Sequence, residues 1–223
     1  MHIEPGVVDG AKIVLSYATA FAALGLSAKA SIEMIKKDGL LSLIGRSALT
    51  TLFVFAFFEI LPHQAVGVSE VHLILGSTLF LVFGPAAASI GLILGLLTQG
   101  VFFAQFDLPQ YGMNVTTLLL PLFAMSAVAR RTIAENTAYV DISYKQALKL
   151  SLTYQGGIVA WVAFWAFYGQ GMGADNLASV ATFGIAYLSV VLIEPILDLA
   201  VLAGAKSLHR FKQSSLFEAR LFN

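Results

Sequence analysis

Long apolar runs decide what this chain can fold into, and they fall at residues 7–28, 48–61, 71–88, 90–106, 113–129, 147–168 and 177–203 of 223. Runs of roughly 17–25 apolar residues are the length a helix needs to cross the hydrocarbon core of a bilayer. The sequence therefore predicts an all-α membrane protein with seven transmembrane helices. The second run is short and needs Gly45–Ser47, or local thinning of the bilayer, to complete a span. Composition agrees: 58% of residues are hydrophobic and 12% are charged, the latter about half the fraction usual in soluble domains.

Lysine and arginine collect on the cytoplasmic side of membrane proteins. Here Lys29, Lys36, Lys37 and Arg46 lie between the first two runs. Arg130, Arg131, Lys145 and Lys149 lie between the fifth and sixth, and Lys206, Arg210, Lys212 and Arg220 follow the seventh. With an odd number of spans, this places the amino terminus outside and the carboxyl terminus in the cytoplasm of a multi-pass protein of the cytoplasmic (inner) membrane. Glu4, Asp9, Glu70, Asp107 and Asp175 fall on the outer side. No linker or repeat divides the chain, so residues 1–223 read as one domain. The loop at 29–46, KASIEMIKKDGLLSLIGR, mixes apolar and basic residues in a way that suits a helix at the interface or a solvated turn. Ala18 with Ala22, Gly91 with Gly95, and Gly156–Gly157 are small residues that let helices approach closely.

Thirteen basic and thirteen acidic residues cancel, and no basic stripe attracts nucleic acid. The absence of cysteine excludes disulfides, thiolate metal sites and cysteine nucleophiles. Any metal must be held by nitrogen and oxygen. The start, MHIEPG, lacks the basic region of a secretory signal, so Met1 is expected to remain. It sets an α-amine, the His2 amide and the His2 imidazole within two residues. Pro5 and Gly6 are turn formers. The first six residues reach at most about 20 Å, enough to fold back and insert Met1–His2 between helices.

Amine, deprotonated amide and imidazole close fused, nearly planar chelate rings, and a fourth nitrogen completes a square. Tetragonal nitrogen sites suit Ni(II) or Cu(II), and Co(II) also fits, whereas Zn(II) prefers tetrahedral sites. The fourth ligand is expected from His72, which opens an apolar run in SEVHLILG, or from His63 in LPHQAVG, which reads better as a gate or capture ligand. His209 is cytoplasmic. The alternative for each histidine is a polar residue satisfied at the membrane interface.

The chain resembles the CbiM/NikM family, the substrate-binding membrane components of cobalt and nickel energy-coupling factor transporters. The resemblance rests on Met1-His2-Ile3, on Gly67-x-Ser69-x-x-His72-Leu73 with Gly76, and on Gln99, Asp107 and Gly112-x-Asn114. It implies that the Met1 amine, the amide and imidazole of His2 and the imidazole of His72 hold the metal. Gln99, Asp107 and Asn114 become candidates to accept an imidazole N–H and orient the ring. It also implies a transmembrane coupling protein, ATPase subunits and a small accessory membrane protein as partners. The family's usual MHIPDG is MHIEPG here, its Ser-Gly-His is Ser-Glu-Val-His, and its Gly-Asp-Gly-Gly loop is Phe106-Asp107-Leu108-Pro109.

The leading expectation is a capture subunit, not an enzyme, for Co(II) or Ni(II) as transported ligand, with no catalytic cofactor. No G-x-x-x-x-G-K-[ST] phosphate loop is present, so ATP hydrolysis falls to partners. A rival reading is an ion-coupled secondary transporter using Glu59, Glu194 and Asp198, ionisable residues inside apolar runs. An intramembrane enzyme is disfavoured because H-E-x-x-H and cysteine nucleophiles are missing.

Overall fold

The computed structural model describes residues 2–212, so Met1 and Arg220 lie outside the described residues. It is helical apart from one hairpin. The long helices are α1 (Ile13–Asp38), α2 (Leu40–Glu59), α3 (Gly76–Phe102), α4 (Tyr111–Thr132), α5 (Tyr144–Gln170) and α6 (Ala174–Lys212), and the antiparallel strands β1 (Gln64–Val66) and β2 (Ser69–Val71) join α2 to α3. Among the described residues six helices are long and apolar enough to cross a membrane, where the sequence predicts seven.

The difference lies in α3. The runs at 71–88 and 90–106 belong to one helical element, broken at Gly84 with φ 85° and ψ 166°. That backbone lies outside the region open to residues with a Cβ, and Pro85 follows with no N–H to continue the ladder. Residues 71–75, counted from sequence as span, complete β2 and pass through the left-handed Leu75 (φ 53°). The limb 76–83 is thus eight residues, about 12 Å long, too short to cross alone. Its direction is fixed largely by α6: Ser77 and Thr78 donate to Asp198, and Leu81 packs against the cluster of Ile142, Ala147 and Leu202. The limb 85–102 follows α2 in parallel, Gly91 against Thr50 and Gly95 against Val54, so closely that a Cβ on either glycine would meet its neighbour at 2.5 or 2.6 Å. Thr50 Oγ1 also donates to the Ala87 carbonyl, at 2.7 Å. The chain therefore reverses direction inside an unbroken apolar stretch, which hydropathy cannot register.

The loop expected at 29–46 is helical: α1 continues to Asp38, and Gly39 alone (φ 86°) separates it from α2. Residues 40–47 supply the turns that the short second run lacks. Gly157 packs on Pro121, so this small residue, like Gly91 and Gly95, serves contacts within the bundle.

One end of the bundle gathers the polar residues. Gly112 at the start of α4 lies against Ser16 near the start of α1, Gly169 near the end of α5 lies against Val7, and Gly67 in the hairpin lies against Ser179 near the start of α6. The Phe58 ring near the end of α2 is 5.2 Å from that of His72. The opposite end holds the basic groups: Lys29 and Arg130 line one cleft with Pro85, and Lys206 donates to the Val140 carbonyl at 2.6 Å. Large apolar side chains such as Phe21, Leu41, Leu52, Ile185 and Leu192 are exposed around the bundle, the surface a bilayer covers.

Candidate metal centre

The N-terminal segment adds itself to the hairpin. Ile3 forms an isolated antiparallel bridge with Ser69. Glu4 N–H donates to the Val68 carbonyl at 3.1 Å, and Glu70 N–H donates to the His2 carbonyl at 2.9 Å. The same His2 carbonyl accepts from Ser69 Oγ at 2.7 Å. Ile3 N–H donates to Asn114 Oδ1 of α4 at 2.7 Å, and the Ile3 side chain is 0% exposed. The backbone of the first residues is thus pinned from two sides, and His2 is carried into the protein at 2% exposure.

Extended backbone brings the second histidine to it. Along a strand, side chains at i and i+2 share a face, so Glu70 on β2 and His72 just beyond it point together. The Glu70 carboxylate meets both rings through one oxygen: Oε2 lies 2.5 Å from His2 Nδ1 and 2.7 Å from His72 Nε2. The two rings stand edge to face at 5.2 Å between centroids. His72 is 1% exposed. Burial pulls the pKa of His2 below its ordinary value, and that of His72 well below, because the low-dielectric surroundings disfavour imidazolium. Burial works to raise the Glu70 pKa, but the hydrogen bonds from both imidazoles outweigh it and hold the carboxyl well below the usual range. Neutral rings donating Nδ1–H and Nε2–H to Glu70 leave the remaining nitrogens bare, and His2 Nε2 and His72 Nδ1 are buried without partners among the described residues.

The other candidates take separate places. His63 is exposed and lies parallel to His72, 5.1 Å between ring centroids, with Nδ1 3.3 Å from the Leu61 carbonyl. Asp107 Oδ2 is 3.8 Å from His2 Nδ1, and it and Gln99 Oε1 are buried acceptors with no partner among the described residues. Asn114 accepts a backbone N–H rather than an imidazole N–H, so it docks the segment instead of orienting a ring. Glu70, read from sequence only as an outer acid, stands at the middle of the cluster. The signal that marks it is Glu-x-His in an extended stretch, where spacing of two puts both side chains on one side.

Glu194 and Asp198 sit deep in the bundle, but both are committed to the start of α3. Glu194 accepts from Ile74 N–H and from Gln155 Nε2, whose Oε1 in turn accepts from Tyr187 OH at 2.6 Å. Asp198 accepts from Ser77 and Thr78. Both carboxylates thus serve the orphan donors and hydroxyls of a buried helix start, a structural duty the rival reading from sequence does not assign them. Glu59 is half-buried at the end of α2.

His2, Glu70 and His72 each offer a ligand atom, all within 4.8 Å of one another. Nitrogen and carboxylate oxygen in such a set can hold a divalent transition-metal ion. A helical bundle with an apolar surface and a buried imidazole–carboxylate centre at one end defines a membrane protein equipped to take an ion from one face.

Residues 2–210 match the family model described as the cobalt uptake substrate-specific transmembrane region, CbiM, and the chain belongs to that family, one of metal transport. Two solved structures share the fold. A transition metal transporter aligns with a TM-score of 0.63 at 17% identity over 100% of both chains. A truncated transition metal transporter aligns with a TM-score of 0.62 at 16% identity, over 91% of this chain and 94% of that one. No curated protein matches.

Proposed function

We propose that this protein is the capture subunit of an ATP-driven, energy-coupling-factor importer for Co(II) or Ni(II), and that Met1, His2 and His72 supply the nitrogens that hold the ion. The observation that carries the reading is the convergence of His2 Nδ1 and His72 Nε2 on a single point, buried and 68 and two residues, respectively, from Glu70 in sequence. When each imidazole moves its proton to the nitrogen that faces away from Glu70, these two nitrogens, with the terminal amine and the deprotonated amide, make the planar set that borderline divalent ions prefer. The family match and the fold shared with two transition metal transporters support the same cargo.

The protein then sits in the cytoplasmic membrane with the centre facing outward and the basic end facing inward, in keeping with the distribution of lysine and arginine. The ion enters from outside, displaces one proton from the amine and one from the His2 amide, and binds, each imidazole keeping its single proton on the nitrogen away from the ion. A transmembrane coupling protein with its ATPase subunits, and a small accessory membrane protein, drive release to the cytoplasm. In this reading His63, exposed and stacked on His72, meets the ion first.

The test is metal analysis of purified protein with its native terminus after exposure to equimolar Ni(II), Co(II), Zn(II) and Cu(II). One equivalent of Co(II) or Ni(II) is expected. Acetylation of Met1, or an extension of two residues before it, should abolish tight binding while the helices insert normally. Native affinity after acetylation refutes the terminal chelate.

A further inference from the structure

We infer that Glu70 is itself a ligand of the transported ion, adding an anionic oxygen to the nitrogen set and biasing the centre toward an ion that favours a fifth ligand, Co(II) ahead of planar Ni(II). The inference rests on the reading of this centre as a metal-capture site and goes beyond it in coordination number, charge and selectivity.

Geometry carries it. Glu70 Oε2 lies 2.5 Å from His2 Nδ1 and 2.7 Å from His72 Nε2, and the three residues bring one ligand atom each within 4.8 Å of one another. Around an ion with bonds of about 2.1 Å, neighbouring ligand atoms stand about 3 Å apart and opposite ones about 4.2 Å. Both oxygen–nitrogen separations therefore lie within a few tenths of an ångström of the spacing between neighbouring ligands. An oxygen this close to both nitrogens cannot stand idle when an ion occupies the space between them. It either binds the ion or must leave a pocket in which its backbone is held fast.

The backbone is held. Glu70 N–H donates to the carbonyl of His2, the residue whose ring its carboxylate meets, and its neighbour Ser69 donates to the same carbonyl. Two of the three ligands are thus tied to each other through main chain, and the third, His72, follows two residues later on the same strand face. This is preorganisation of the kind a selective metal site needs.

Charge balance favours the same assignment. A deprotonated His2 amide carries one negative charge, and Glu70 carries a second, so together they neutralise a divalent cation. A buried ion with uncompensated charge is costly. With Glu70 bound, the charges of the ion and its own ligands sum to zero.

The experiment uses the full chain with its native terminus, as wild type, Glu70→Gln and Glu70→Ala, and measures Co(II) and Ni(II) affinity by competition together with the magnetic moment of the Ni(II)-loaded protein. Square-planar four-nitrogen Ni(II) is diamagnetic, whereas an added oxygen ligand makes it paramagnetic. Paramagnetic Ni(II) in wild type, with a ratio of Co(II) to Ni(II) affinity at least tenfold lower in Glu70→Ala, is the expected result. Glu70→Gln keeps the side-chain volume and a carbonyl oxygen, and an unchanged helical circular-dichroism spectrum would show that the shift is not a folding defect. Diamagnetic Ni(II) in wild type, or a Co(II)-to-Ni(II) ratio within twofold across all three proteins, overturns the assignment while leaving metal capture intact. Wild-type protein that binds neither ion overturns the capture reading instead, and this inference falls with it.

Discussion

Replacing Asn114 by alanine removes the acceptor for a single buried N–H, that of Ile3, from the face of α4. Ile3 is 0% exposed and Asn114 1% exposed, so water does not take the acceptor's place without the segment lifting. Leaving a buried donor unpaired costs about 1–3 kcal/mol, and each 1.4 kcal/mol is a factor of ten in an equilibrium constant, so opening of the N-terminal segment becomes about 5- to 140-fold more frequent. The reporter is the amide of Glu4. It donates to the Val68 carbonyl and is untouched by the substitution, so its exchange rate measures the opening of the segment and not the lost bond itself. Hydrogen exchange read by fragmentation mass spectrometry should show Glu4 accelerated by that factor while amides inside α5 are unchanged. Ser69→Ala is the control. It removes one donor to the His2 carbonyl, but Glu70 N–H still reaches that oxygen at 2.9 Å, so the cost is about 0.5–1.5 kcal/mol and the acceleration smaller. Glu4 exchange within twofold of wild type in Asn114→Ala, or a larger effect from Ser69→Ala, refutes the view that α4 pins the segment.

Among the histidines, His72→Ala should remove tight metal binding and His63→Ala should only slow uptake, measured as affinity in purified protein and as uptake in cells; the reverse order makes His63 the ligand. Metal-free protein should lose stability on acidification. His2 and His72 have folded pKa values depressed by burial below 6.5, and Glu70 is depressed by its two imidazole partners. Each such contribution is complete above the unfolded-state pKa and lost as pH falls, so the thermal midpoint should be level near neutrality and decline below about pH 6.5; a midpoint that rises through that window contradicts the assignment. Gly169→Ala places a Cβ 1.9 Å from the Val7 carbonyl oxygen and should cost about 1–3 kcal/mol by overpacking, seen as a lower thermal midpoint together with faster Glu4 exchange. Single cysteines at Asp175 and Lys212 should label from opposite sides of intact cells, and same-side labelling rejects the orientation proposed from the basic residues.

What the sequence determines by itself is whatever depends on local composition. Apolar runs set a helical membrane protein, because the cost of taking an unsatisfied backbone into hydrocarbon is charged to each residue separately. The sites of Lys29, Arg130 and Lys206 predict a shared basic end, and in the folded chain they do gather away from the hairpin. Met-His at the terminus and a histidine opening an apolar run suffice to nominate His2 and His72, since ligand chemistry belongs to the residue type. Tertiary structure alone decides the rest. The reversal at Gly84 is invisible to hydropathy because a kink between apolar residues needs no polar loop, and so seven runs became six helices. The duties of Glu194 and Asp198 are set by the start of α3, some 120 residues earlier in the chain. Asn114 turns out to hold a backbone amide, and Glu70 moves from the margin to the centre, because which side chains meet is fixed by the docking of residues 2–4 onto β2. Those contacts join positions 68 residues apart, and no pattern of local propensity encodes a distance of that kind.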